Sequence, residues 1–248
     1  MSTITILGDG ALGQAIAVRL RERGDIVSVR GRPRSGRHEL ATIAGSDVVV
    51  DASRAEAVAS NLTVALAAGV RRFVVATTGW HDDRERIAGA VERVRATAVV
   101  APNLALGAAL FLRLVDEAAR LAASIGGFEP SVVEWHRRTK ADRPSGTARE
   151  IVRRLATELP MTVDEVAVVR SGSMPGMHAV ALDGSSETIE LRLTARDRSG
   201  YAAGAAAAID WLLAGPRPIG LVPFDRVVED LIAARGRATA DRPERPAA

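Results

Sequence analysis

The sequence predicts an α/β fold: a doubly wound parallel sheet, followed by a second, α+β domain built on a mostly antiparallel sheet. Three observations lead there. Over the first hundred residues or so, short apolar runs alternate with helix-patterned segments, the pattern of parallel strands covered by helices on both faces. The second half instead carries closely spaced strand-like runs with a hairpin signal, Asp183-Gly184, between two of them. The first strand also runs directly into a glycine-rich turn that opens a helix.

In chain order, Thr3–Leu7 reads as a strand, and Ala11–Arg23 as a helix with apolar positions at Leu12, Ala15, Val18 and Leu20. Further strands are expected over Asp25–Arg30, Ser46–Asp51, Arg72–Ala76 and Ala96–Ala101, with helices over Glu56–Ala68 and Asp82–Arg95. A long apolar helix is expected over Leu106–Ser124, a strand over Pro130–Trp135 and a short helix over Thr147–Leu159. Strands over Glu165–Arg170, Met177–Leu182 and Glu187–Ala195 follow, then helices over Tyr201–Leu213 and Phe224–Ala234. The expected domains are 1–104, completed by 199–235, and 105–198, with a disordered tail over 236–248 rich in Pro, Arg and Ala.

Composition narrows the function classes. Hydrophobic residues make up 47% and charged residues 25% of the chain, ordinary for a globular protein. The apolar runs are too short to span a bilayer, and the N-terminus lacks the basic start of a signal peptide, so a cytoplasmic protein with no membrane partner is expected. Aromatics are only 3% and the net charge only +3, which argues against nucleic-acid binding. There is no cysteine, so no disulfide or thiolate metal site. Of 33 basic residues only Lys140 is a lysine. A single lysine in a chain that otherwise writes arginine points to a place where a compact, titratable ammonium is needed.

Gly8-Asp-Gly10-Ala11-Leu12-Gly13 is a G-x-G-x-x-G run between a strand and a helix. Its glycines allow a tight turn and a close backbone approach to a pyrophosphate, whose charge faces the helix N-terminus. The predicted sheet is therefore Rossmann-type. At the end of the second strand, where NAD enzymes carry an acid, the chain has Arg30-Gly-Arg32-Pro-Arg34. Arg30 and Arg32 suit a ribose 2′-phosphate, so NADPH is the expected cofactor, with NADH as the alternative.

The densest chemistry runs from Glu134 through His136, Arg137, Lys140, Asp142, Ser145, Gly146 and Thr147 to Glu150. It leaves a strand, crosses a polar loop and enters a helix, with Thr147 and Glu150 at capping-box spacing. Free N–H groups at Gly146 and Thr147 would suit a carboxylate. His136, Arg137 and Lys140 supply cations and a group titrating near neutrality, the parts needed to hold a small anionic substrate and deliver a proton.

This run resembles the dihydrodipicolinate reductase signature, E-x-H-H-x-x-K-x-D-x-P-S-G-T-A. Other stretches match in the same order: Val75–Trp80 (V-A-T-T-G-W), Ala101–Gly107 (A-P-N-L-A-L-G), Val169–Gly172, Pro175–His178, Glu187–Leu191 and Arg198. The resemblance implies a reductase of the lysine and diaminopimelate route that passes hydride from NADPH or NADH to a cyclic imine dicarboxylate. It implies His136 as catalytic acid/base, Lys140 as proton donor, and Ser145, Gly146 and Thr147, with Arg137, as substrate contacts. It places the cofactor against Gly8, Gly10, Ala11, Leu12, Gly13, Ser53, Ala76, Thr77, Thr78, Ala101, Asn103 and Leu104, and implies a homotetramer formed through the second-domain sheet.

The chain departs from the family pattern in several places. The second histidine of the pair is Arg137, the glycine loop is one residue shorter, D-F-T-x-P is Asp51-Ala-Ser53-Arg-Ala55, and Met177 replaces the glutamate before His178. A reductase of the same build acting on another cyclic imine or unsaturated acid is therefore the alternative. A non-catalytic dinucleotide-binding regulator is a weaker one, since it would need neither His136 nor Lys140. His178 is read as a structural histidine, and His38 and His81 as exposed. No grouping of His, Asp and Glu has metal-site spacing, so no metal is expected.

Overall fold

The structure is a computed structural model that describes residues 1–34, 36, 38–101 and 103–240. The chain folds into two compact units, Met1–Ala101 with Ala203–Ala248, and Pro102–Ala202. The sequence placed these divisions at 104/105 and 198/199.

The first unit carries β1 (Thr3–Leu7), α1 (Ala11–Glu22), β2 (Ile26–Arg30), β3 (Val48–Asp51), α2 (Ala55–Ala67), β4 (Arg72–Val75), α3 (Arg84–Arg93) and β5 (Thr97–Val100). The second carries α4 (Leu106–Ile125), β6 (Glu129–His136), α5 (Gly146–Leu155), β7 (Ala167–Arg170), β8 (Met177–Asp183) and β9 (Thr188–Thr194). The helix α6 (Ser199–Leu213) crosses the division, and β10 (Gly220–Pro223) and α7 (Phe224–Ala240) return to the first unit.

All strand pairs of the first sheet are parallel, in the order β10-β5-β4-β3-β1-β2. Val48, Val49, Val50 and Phe73 are essentially inaccessible, as expected of parallel strands with helices on both faces. Each such side chain contributes roughly 1.5–3 kcal/mol of burial. The helices α2 and α3 cover one face through Val58, Leu62, Leu66, Ile87 and Val91.

The sixth strand, β10, has no counterpart in the sequence reading. It is a four-residue edge strand ending at Pro223, too short to show a period. Its proline has no N–H for a further ladder bond, which edges tolerate. The last helix also runs through Ala240, past the expected start of a tail at 236. The rest of that tail, 241–248, lies outside the described residues, as does Pro102 within the A-P-N motif.

The second sheet has the order β7-β6-β8-β9. The pairs β6–β8 and β8–β9 are antiparallel and β6–β7 is parallel. One of its faces packs against α4 and α5, with Val132, Val180 and Leu182 meeting Leu112, Val115, Ile151 and Leu155. Period-2 alternation along β6 turns Val132, Glu134 and His136 to the buried side and leaves Val133 and Trp135 outward. The inward stripe therefore changes from apolar to ionisable over its last two inward positions.

Candidate active site

The first unit's candidate site lies where the strand order turns. With β1 between β2 and β3, the C-terminal ends of β1 and β3 form the switch point at which open α/β sheets hold ligands. Gly8 follows β1 with φ +119°, and its N–H donates to the Arg30 carbonyl at 2.8 Å. A Cβ at Gly8 would collide with the Ala52 carbonyl, and one at Gly13 with the Gly8 carbonyl. Packing alone requires those two glycines. Gly10 differs, because a Cβ there meets nothing within 4 Å. It is the N-cap of α1 and offers no side-chain cap, so the first-turn N–H groups of Ala11, Leu12 and Gly13 stay available to an anion.

A cleft of about 370 Å³ opens beside this turn, lined by Gly8, Gly10, Arg32, His38, Ser53 and Asn61 among others. His38, expected to be exposed, is half-buried and lines the cleft; His81 is exposed as expected. Arg30 and Arg32 are both exposed. Sequence reasoning found no carboxylate at this strand end, but folding supplies one. Asp9 lies so close to Gly31 that a Cβ there would sit 2.5 Å from its Oδ2, and Asp9 and Glu56 line the same cleft.

Behind the cleft, buried Asp51 accepts hydrogen bonds from Thr77 Oγ1 (2.6 Å), Ser53 Oγ (2.8 Å), Ser53 N (3.1 Å) and Asn61 Nδ2 (2.8 Å). These bonds satisfy a carboxylate that would otherwise be costly to bury. They also spend the Thr77 hydroxyl on the fold. Ala76 and Ala101 are half-buried at their strand ends, and Thr78 is exposed.

In the second unit, Glu134 on β6 is registered directly opposite His178 on β8, and His136 lies two positions along the same face. All three side chains are buried. His136 Nε2 is 3.4 Å from His178 Nε2 and 3.4 Å from Glu134 Oε2, and His178 Nε2 is 3.5 Å from Glu134 Oε2. Arg170, at the end of β7, donates from Nη2 to Glu134 Oε1 and to the Asp142 carbonyl, both at 2.6 Å. The Arg170 and Glu134 side chains are fully buried, and Arg170 Nε has no partner among the described residues.

Burial alone would raise the Glu134 carboxyl, but hydrogen bonds from His178, Ser145 and Arg170 outweigh it and hold the group well below the usual carboxylate range. Burial, with further opposition from His178, pushes His136 down to about 4, although Glu134 pulls the other way. His136 is thus a neutral imidazole at neutral pH. Its ring rests against Gly176, where a Cβ would stand 2.9 Å from Cε1.

After His136 the chain turns at Lys140, whose N–H donates to the Arg137 carbonyl at 3.1 Å. Lys140 Nζ pairs with Asp142 Oδ1 at 2.8 Å. Although burial opposes it, that ammonium and the Gly146 backbone N–H hold the Asp142 carboxyl below its ordinary value. Asp142 thus stands near the helix terminus expected to face a substrate carboxylate. Arg137 is exposed and donates from Nε to Thr139 Oγ1 at 3.2 Å; it is not part of the buried cluster.

The expected capping box at Thr147 and Glu150 is not formed. The helix α5 begins one residue earlier, with Ser145 as N-cap accepting from Ala148 N at 3.2 Å. Ser145 wins because its own N–H is anchored on Glu134 (3.0 Å) and its hydroxyl meets His178 Nε2 (3.1 Å). Thr147 falls within the first turn and contacts Asn103 Nδ2 at 3.4 Å, while Glu150 pairs with Arg153 and Arg154. Asn103 also caps the chain through Oδ1, accepting from Ala105 N at 2.9 Å, and Leu104 is buried.

Sequence reasoning missed Asp9, Asp51 and Arg170. His178, expected as a packed or hydrogen-bonded structural histidine, is buried, meets Ser145 Oγ at 3.1 Å and also contacts His136 directly. The legible signal for Glu134 was a charged residue at an inward-facing strand position.

Family models covering almost the whole chain match it in order. Residues 3–104 match "Dihydrodipicolinate reductase, N-terminus", and residues 107–227 match "Dihydrodipicolinate reductase, C-terminus". The chain belongs to this family. A 4-hydroxy-tetrahydrodipicolinate reductase of Archaeoglobus fulgidus is 36% identical over 203 residues, 74% of this chain and 76% of the relative. One of Methanoculleus marisnigri is 37% identical over 191 residues, 71% and 74% of the two chains. In solved structures, the fold is shared with a dipicolinate-bound dihydrodipicolinate reductase from Paenisporosarcina sp. TG-14, at TM-score 0.71 and 20% identity over 90% of this chain and 97% of that one. Dihydrodipicolinate reductases are NAD(P)H-dependent oxidoreductases, and this chain has their two-sheet build. Among its described residues, no helix is long and apolar enough to cross a membrane.

Proposed function

We propose that the protein is a 4-hydroxy-tetrahydrodipicolinate reductase of the lysine and diaminopimelate route, acting in the cytoplasm as a homotetramer and using NADPH. The observation that carries the reaction is the segment from His136 to Thr147. It holds a neutral buried imidazole, the chain's lone lysine close enough to bear on it, and Asp142 paired with that lysine near a helix N-terminus.

When bound in the first unit's cleft, NADPH would supply the hydride for reduction of the cyclic imine. The open space at Gly10 and the uncapped first turn of α1 fit its pyrophosphate. Arg30 and Arg32 favour the 2′-phosphate, while Asp9 in the same cleft supplies an acceptor for a free 2′-hydroxyl, which keeps NADH usable. Gly146 and Thr147 bind one substrate carboxylate, and Arg137 swings to the other. The incoming carboxylate displaces Asp142 from Lys140 and frees the lysine. Lys140 then gives its proton to the atom left electron-rich by hydride addition, and His136 serves as the neutral acid/base beside it. The outward side of the second sheet, where Val133, Trp135 and Val169 stay 36–38% exposed, suits burial between subunits.

The test is NADPH oxidation with freshly made synthase product, beside a panel of other cyclic imines. Turnover of the synthase product at least as fast as any other supports the proposal. Turnover confined to another imine would transfer the site to that substrate. Light scattering that shows only a monomer at micromolar concentration would remove the tetramer.

A further inference from the structure

The cluster on β6 and β8 also has the geometry of a metal site. Glu134 Oε2, His136 Nε2 and His178 Nε2 form a nearly equilateral triangle with sides of 3.4, 3.4 and 3.5 Å. Ligands of a tetrahedral zinc ion, at bonds of about 2.0–2.1 Å, stand about 3.3–3.4 Å from one another. The three atoms therefore match one face of a zinc tetrahedron without moving. We propose that Glu134, His136 and His178 form a reversible binding site for a tetrahedral divalent cation, zinc above all, with the fourth position open.

The donor set supports that choice. Two imidazoles and a carboxylate suit zinc, whereas calcium and magnesium call for more oxygens. The scaffold is rigid, because an i, i+2 pair and its cross-strand neighbour present all three atoms from paired strands. Arg170 and the Ser145 N–H hold the carboxylate in place, as outer partners hold the ligands of known sites. The Ser145 hydroxyl gives up its contact with His178 Nε2 and keeps its bond from Ala148.

Arg170 and Lys140 oppose a further positive charge, so occupancy is reversible and the fold does not depend on it. A bound ion takes the His136 lone pair and blocks turnover. That consequence, unlike the site itself, rests on the proposed role of His136.

The test uses the untagged full-length chain stripped with a chelator. Calorimetry with zinc, the visible spectrum with cobalt and X-ray absorption at the zinc edge should show one ion per chain, a four-coordinate cobalt spectrum, and two imidazoles with one carboxylate oxygen at about 2.0–2.1 Å. His178→Gln should weaken zinc binding by more than the ~10–100-fold that losing an outer partner costs. Replacing the remaining histidines, His38→Gln with His81→Gln, should leave it unchanged. No uptake at ~100 µM zinc, uptake that depends on His38 or His81, or a coordination sphere without two imidazoles overturns the site. If His178→Gln does not fold, the absorption spectrum of the unmutated protein carries the test. Zinc that binds with this sphere yet leaves turnover intact supports the site and removes His136 from the proposed reaction.

Discussion

Between Gly8 and Gly13 the first unit sets its ligand-facing backbone with consecutive residues, and the strand before and helix after fix their direction. The second unit draws Glu134, His136, Ser145, Arg170 and His178 from β6, α5, β7 and β8, with contacts spanning up to 44 positions of sequence, from Glu134 to His178. The glycine loop works by leaving space, so each position has its own reason. The cluster works by mutual satisfaction, because Glu134 is stable in the interior only while Arg170, Ser145 and the histidines surround it. Damage should therefore be separable in the loop and shared in the cluster.

Lys140 tests the boundary of that rule, since it sits beside the cluster but is only partly buried. Lys140→Met should lower turnover by about a hundred- to ten-thousand-fold, the worth of a positioned acid, with cofactor affinity and thermal stability little changed. Lys140→Arg should rescue poorly, because a guanidinium with pKa above ~12 does not readily release a proton. Full turnover in Lys140→Arg would reduce the residue to an electrostatic anchor.

Arg170→Met probes the cluster from within. It strands a buried carboxylate, and breaking one partner of such a pair costs about 3–5 kcal/mol. Denaturant unfolding should show that loss. A change under about 1 kcal/mol would mean that the histidines and Ser145 satisfy Glu134 without Arg170.

The cluster should also give the fold a pH dependence that the loop lacks. His136 is held at about 4 against an ordinary 6.5, so the unfolded chain binds the proton more readily. That contribution is complete above pH 6.5 and is lost as pH falls towards 4, where it amounts to roughly 3 kcal/mol. Glu134, with its depressed carboxyl, adds loss in the same direction at lower pH. Melting temperatures should fall across that window in the native chain and less steeply in His136→Gln. Parallel slopes would place the acid sensitivity elsewhere.

In the loop the effects should be smaller and split between neighbours. Gly8→Ala meets both the positive φ and the Ala52 carbonyl, so stability should drop by about 1–3 kcal/mol. Gly10→Ala meets open space; its melting temperature should hold while cofactor affinity weakens. Smaller still, Arg30→Ala with Arg32→Ala should weaken NADPH and spare NADH, and Asp9→Asn should shift preference towards NADPH. Equal dissociation constants for the two cofactors in the unmutated protein would end that reading.

The sequence alone determined the alternation of strand and helix, the glycine turn and the order of the chemical residues from His136 to Thr147. These are local properties: periodicity, turn chemistry and spacing act over a few neighbouring residues, and a single chain displays them. Tertiary structure decided that Ser145 and not Thr147 caps α5, that β10 completes the first sheet, and that Asp9 lies against Gly31. It also decided the company kept by His136. Nothing between residues 134 and 178 announces that Glu134 and His178 will stand opposite each other, because strand register is set by the whole pattern of inward side chains on β6, β7 and β8. Once that register exists, a residue that reads as structural packing becomes the neighbour of His136.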